Sequence, residues 1–145
     1  MTQRHPVQNQ HVFFITTNCK YRESIFTNPA YANEAVLGIY KAQQIHPFLL
    51  FGFVIMPDHC HLLMNPPEYK SVSKIMHTFK RAVSFGIGKG SIWQSRFYIV
   101  YPKNPGAALQ YIHMNPVKAG LSDAMHSYPW SSASGKFDVT PLPYL

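Results

Sequence analysis

The run Phe48-Leu-Leu-Phe-Gly-Phe-Val-Ile-Met56 constrains this chain more than any other stretch. It is continuously apolar and short, which suits a buried strand. Pro57-Asp58 follows at once and is a turn signal. His59-Cys-His-Leu-Leu-Met64 then reads as the returning strand of a hairpin, and Asn65-Pro66-Pro67 stops it. Such a hairpin needs further elements to bury it.

The flanking segments read accordingly. His11 to Thr17 is rich in β-branched and aromatic residues and predicts a strand. Asn28-Pro29 looks like a helix start, and Ala32, Ala35, Val36, Ile39 and Tyr40 keep a helical period up to His46-Pro47. Ser71 to Phe85 predicts a second helix, with Val72, Ile75, Met76, Phe79 and Val83 on one face. After a flexible Gly86 to Gly90 link, Ile92 to Tyr101 is strand-like. Pro105 to Met114 predicts a third helix, interrupted by Asn115-Pro116, and an irregular tail packs back on the domain. This order predicts an α+β fold: a ferredoxin-like split βαβ sandwich, an antiparallel sheet with helices on one face plus a C-terminal helix. A chain of 145 residues fits a single domain, 1–145, and the topology puts the His59–His61 strand in the middle of the sheet.

Side chains two apart on a strand point to one face, so His59 and His61 can converge on one metal ion. Cys60 points the other way, which argues against a mixed Cys/His zinc site. An isolated His-x-His is most often an ordinary pair of hairpin histidines. Two imidazoles on a central strand are costly unless satisfied, however, and that favours ligands. Tyr111 and Asn115 lie one helical turn apart and share a face. A phenol and an amide there can supply a nucleophile and a further metal ligand. Tyr69, in the loop after the histidine strand, is the strongest competing tyrosine on geometry alone. The alternatives are a core tyrosine, and an Asn capping a turn that Pro116 opens and Gly120 closes.

Lys plus Arg outnumber Asp plus Glu by 13 to 6, giving a net charge of +7 without any basic tail. A folded basic domain favours a polyanionic partner. The candidate DNA contacts are Lys20, Arg22, Lys80, Arg81, Arg96 and Lys118. Phe97, Tyr98 and Trp93 are candidates for stacking on unpaired bases, although Trp93 and Trp130 read first as core. Six acidic residues are few for a hydrolase that uses carboxylates and water. Two cysteines make no disulfide scaffold, the start is polar, and no apolar run approaches the roughly 18 residues of a membrane span. A cytoplasmic protein is expected.

Four stretches then occur in order: Val54-Ile-Met-Pro-Asp-His-Cys-His-Leu-Leu63, Trp93-Gln-Ser-Arg-Phe97, Tyr111-Ile-His-Met-Asn-Pro-Val-Lys-Ala-Gly-Leu121 and Tyr128-Pro-Trp-Ser-Ser132. Together they resemble the REP-associated tyrosine transposases, a branch of the single-tyrosine HUH transposases, from about His11 to Ser134. The resemblance implies that His59 and His61 bind Mg²⁺ or Mn²⁺, that Asn115 completes the site where insertion-sequence relatives carry Gln, and that Tyr111 is the nucleophile. It implies a single-stranded DNA endonuclease and strand transferase that passes through a 5′-phosphotyrosine on hairpin-forming repeats, as monomer or homodimer. The alternative is a domesticated binder of hairpin DNA or RNA that does not cut.

Overall fold

The computed structural model describes residues 12–143. Its order is β1 (Phe13–Cys19), α1 (Pro29–Ile45), β2 (Leu49–Met56), β3 (His59–Asn65), α2 (Ser71–Ile87), β4 (Trp93–Val100) and α3 (Pro105–Lys118), with short 3₁₀ turns between and after them. The sheet order is β2-β3-β1-β4 and every neighbouring pair is antiparallel. The predicted ferredoxin-like layout is therefore present, with β3 in the interior. The predicted start of β1 at His11, the polar residues 1–10 and Tyr144 lie outside the described residues.

Burial follows the sequence pattern strand by strand. On β1, alternate residues Phe13, Ile15, Thr17 and Cys19 are buried, while β2 and β3 are buried along nearly their whole length. The continuous apolar run thus sits between two layers. On one face, α1 and α2 cover Ile15, Leu50, Phe53, Ile55, Cys60, Leu62 and Met64. On the other, Phe51, Val54, Met56 and Leu63 pack with Ile112 of α3 and with Tyr128 and Leu142 of the tail. Cys60 faces the first layer, away from the histidines' face, as expected.

The helix ends obey local chemistry. Asn28 caps α1 by accepting from the Ala30 N–H at 2.9 Å, with Pro29 in the first turn. Helix α2 continues past the expected Phe85 to Ile87 and stops at left-handed Gly88. The larger correction concerns α3, which does not break at Asn115-Pro116 but runs on to Lys118. Pro116 is buried, and the last turn closes as a Schellman motif: Leu121 N–H to Pro116 C=O at 2.8 Å and Gly120 N–H to Val117 C=O at 3.0 Å. Packing and this closure outweigh the single missing N–H. Gly120, with φ of 77°, is the closing residue as predicted.

The irregular tail packs back, and does so along the outer edge of β2. Ile55 N–H donates to Trp130 C=O at 2.8 Å, Val54 bridges Ser131, and Phe53 N–H donates to Ser132 Oγ at 3.0 Å. The buried Tyr128 hydroxyl donates to Ile55 C=O at 2.7 Å. Backbone donors and acceptors that would otherwise lie open on an edge strand are thereby satisfied. Among the described residues no helix is long and apolar enough to cross a membrane.

Candidate metal and tyrosine site

On β3, His61 stands opposite Thr16 of β1 and Val54 of β2, while His59 stands opposite Asn18 and Met56. The two rings lie 4.7 Å apart between centroids and nearly perpendicular, at 75°. Each has its Nδ1 engaged. His59 Nδ1 lies 2.7 Å from Asp58 Oδ1, and His61 Nδ1 lies 2.9 Å from Thr16 Oγ1. Asp58 is held in turn by Arg22, whose Nε and Nη2 are each 3.0 Å from Oδ2. A carboxylate that accepts from Nδ1–H fixes the tautomer that leaves the Nε2 lone pair for a metal. Burial, joined by the positive charges of His59 and Arg22, drives the His61 pKa down to about 3, so this ring is neutral. Burial pushes the Asp58 carboxyl up, but the hydrogen bond to His59 and the charges of His59 and Arg22 outweigh it and hold it below its usual range.

The turn that delivers Arg22 is strained. Tyr21 and Arg22 both have positive φ, 57° and 53°, a left-handed conformation costing on the order of 1–3 kcal/mol per residue. Backbone bonds from Cys19 N–H to Asp58 C=O at 2.9 Å and from Lys20 N–H to Ile92 C=O at 2.7 Å hold it beside the β2–β3 turn.

Helix α3 brings Tyr111 over the same face. Its ring centroid is 5.7 Å from that of His61, and the ring is about half exposed. Phe14 completes a triangle of rings with them, stacked on His61 at 5.0 Å and edge-on to Tyr111 at 5.9 Å. Three contacts fix the helix. Asn104 caps it by accepting from Ala107 N–H at 3.0 Å, His113 Nε2 meets Ser132 Oγ at 3.1 Å, and Leu109 lies where a side chain on Gly52 would be. Asn115 is one turn further on and partly buried. Among the described residues its amide makes no hydrogen bond to either imidazole. Two imidazoles converging on one face are a donor set that suits a divalent ion. No three His, Cys, Asp or Glu side chains cluster for a metal among the described residues, so further ligands have to be of other types.

The family described as Transposase IS200 like matches residues 7–115, three quarters of the chain, and so takes in β1 to β4, both histidines and Tyr111. This chain belongs to the IS200-like transposase family. REP-associated tyrosine transposases are among the proteins it is similar to. This IS200-like transposase is 28% identical over 124 residues to the one of Escherichia coli K12, covering 83% of this chain and 74% of that protein. It is 30% identical over 120 residues to one of Haemophilus influenzae Rd, covering 70% and 68%. A solved REP-associated tyrosine transposase, bound to a REP hairpin, superposes with a TM-score of 0.75 at 26% identity over 92% of this chain and 90% of that one. A Deinococcus radiodurans protein shares the fold alone, with a TM-score of 0.57 at 13% identity, over 76% and 89%. The transposase described here is accordingly a DNA-processing enzyme.

Tyr69 was the strongest rival nucleophile on local grounds. Its ring packs on Phe13, 5.6 Å between centroids, and Phe13 belongs to the core of the opposite face. The candidate cations do not share one patch. Lys20 precedes the strained pair Tyr21 and Arg22, and Arg22 is paired to Asp58. Lys80 and Arg81 line a groove between α2 and β4, while Arg96 lies exposed on β4 and Lys118 at the end of α3. Trp93 is core, as read; Trp130 is partly buried between both layers. Sequence reasoning missed Asp58 and Thr16 as partners of the histidines, and Phe14 as the ring that touches both His61 and Tyr111. For Asp58 the available signal was a carboxylate directly preceding the histidine pair.

Proposed function

We propose that this transposase cuts and rejoins single-stranded DNA beside hairpin-forming repeats, with Tyr111 as nucleophile and Mg²⁺ or Mn²⁺ held by His59, His61 and Asn115. The observation that carries the reading is the gathering of Tyr111 and two Nδ1-anchored imidazoles on one face of β3. The hairpin is inferred from the REP hairpin bound by the solved relative.

Each residue has a definite task. Asp58 and Thr16 orient the imidazoles so that both Nε2 atoms face the phosphate site. Phe14 keeps the Tyr111 ring upright above His61. A phenol has an ordinary pKa of about 10 and is a weak nucleophile at neutral pH. The bound ion supplies polarisation of the phosphate and neutralises charge that develops on it. Tyr111 Oη attacks phosphorus in line and its proton passes to solvent. The bond to the 3′-oxygen breaks, leaving a 5′-phosphotyrosine and a free 3′-hydroxyl. Attack by another 3′-hydroxyl reverses the step without ATP, because the covalent link keeps the phosphodiester's energy.

The test is incubation with labelled single-stranded hairpins plus Mn²⁺, followed by denaturing electrophoresis and mass spectrometry of the adduct. A protein–DNA band carried on Tyr111 is expected. A band on Tyr69 or any other tyrosine overturns the assignment, and hairpin binding without any adduct leaves a binder that does not cut.

A further inference from the structure

Helix α2 and α3 lie on opposite faces of the sheet, so the groove between α2 and β4 is separate from the site of Tyr111. Its volume is about 560 Å³. That lies within the roughly 300–1,000 Å³ of sites that hold one small molecule, enough for one or two nucleotides and too small for a duplex. Lys80, Arg81 and His77 line it with four serines, and no carboxylate does. At its rim stands Phe85, 88% exposed. The packing of α2 makes no use of this ring, since its buried residues are Val72, Ile75, Met76, Phe79 and Val83.

Lys80 is no loose surface lysine. Its Nζ donates to Gln94 C=O at 2.7 Å, and its own carbonyl accepts from Trp93 Nε1 at 3.1 Å. Its position is set by the β4 backbone, and burial already lowers its pKa. A partly desolvated ammonium gains more from an anion than one in open water. A fixed ammonium with a guanidinium beside it, hydroxyl donors and an unused exposed aromatic ring are the elements of a single-strand binding surface, where phosphates meet the charges and a base stacks.

We propose that the α2–β4 groove is a second nucleic-acid site, which takes one or two unpaired nucleotides flanking the hairpin. Their phosphates sit on Lys80 and Arg81 and one base stacks on Phe85. The identity of the flanking DNA rests on the substrate read in the preceding section; the chemistry of the groove does not.

The test compares wild type, Phe85→Ala, Phe85→Trp and Arg81→Glu by fluorescence anisotropy. The probes are a blunt hairpin, the same hairpin with unpaired flanks on either side, and labelled oligothymidine. Both replaced side chains are exposed, and unchanged Mn²⁺ affinity and melting temperature serve as controls of folding. Phe85→Ala is expected to weaken binding of the flanked hairpin and of oligothymidine by about 5- to 150-fold, the loss of one stacked base, and Phe85→Trp to restore it. Arg81→Glu is expected to weaken both and to flatten their salt dependence. Equal losses on blunt and flanked hairpins overturn the proposal in favour of a stem contact. Unchanged affinity for every probe overturns it too, and assigns the groove to a partner other than nucleic acid. If wild type binds no hairpin, the substrate reading fails by itself. The groove is then judged on oligothymidine, where equal binding by wild type and Phe85→Ala refutes it.

Discussion

Replacing Asp58 by Ala removes the carboxylate between Arg22 and His59. The structure separates two consequences. Arg22 is half exposed and its pair with Asp58 lies near the surface, so its loss should cost the fold no more than about 1 kcal/mol. His59 loses the acceptor 2.7 Å from its Nδ1, and with it the bias toward the tautomer that frees Nε2. Removing such an outer partner of a metal-binding histidine lowers metal affinity by about 10- to 100-fold, or roughly 1.4–2.7 kcal/mol. Asn at 58 still offers an oxygen to Nδ1–H but no charge, so Asp58→Asn should fall between wild type and Asp58→Ala. The assay is titration calorimetry with Mn²⁺ at pH 7, with scanning calorimetry alongside. Wild-type Mn²⁺ affinity in Asp58→Ala refutes the reasoning. So does a stability loss above about 3 kcal/mol with unaltered affinity, because Asp58 would then be a folding element only.

Tyr111→Phe should keep the fold within about 0.5 kcal/mol and still bind hairpins, while no covalent band forms on a denaturing gel. Gly52→Ala puts a methyl into Leu109, which should cost about 1–3 kcal/mol in urea unfolding. The same variant should slow adduct formation, since a shift of about 1 Å in α3 can cost on the order of 100-fold. Tyr128→Phe deletes the donor to Ile55 C=O and leaves a buried carbonyl unpaired, for a loss of about 1–3 kcal/mol by the same assay. Metal-free protein should lose stability as the pH falls from about 6.5 toward 3, followed by melting temperature. In that window His61 takes up a proton when unfolded and resists it when folded, so stability rises with pH; a flat profile would contradict the neutral, buried ring.

The features legible in the sequence were those set by short-range pattern. The apolar run and the turn after it gave the β2–β3 hairpin, and spacing of two put His59 and His61 on one face. The order of elements gave the sheet in which β3 is interior. Pro116 misled because a local rule about proline met a buried helix end that tertiary packing and Gly120 could close. Asp58 read as a turn former, since nothing local says that its carboxylate turns toward His59 and that Arg22, 36 positions earlier, grips it. Tyr69 stayed a rival until the β1–β3 register fixed which face Phe13 occupies. Of the groove, the sequence offered Lys80, Arg81, Trp93 and Phe97 only as separate candidates, because α2 and β4 bring its lining side by side only after folding.

The strip from Tyr128 to Ser132 has a consequence in time. It lies against residues of β2 made 73 and 79 positions earlier. A ribosome adding about 5–20 residues per second leaves the outer edge of β2 uncovered for roughly 4 to 15 seconds. During that interval the nascent chain depends on chaperones, or on its own speed, to avoid pairing with a neighbour. Ser132 also meets His113, so the helix that carries Tyr111 is latched only after residue 132 has emerged. A translation product that stops short of Tyr128 contains His59, His61 and Tyr111 and still lacks the latch. The surface proposed to cut DNA is thus assembled after synthesis of the residues that compose it, and premature termination yields a chain that holds His59, His61 and Tyr111 without their alignment.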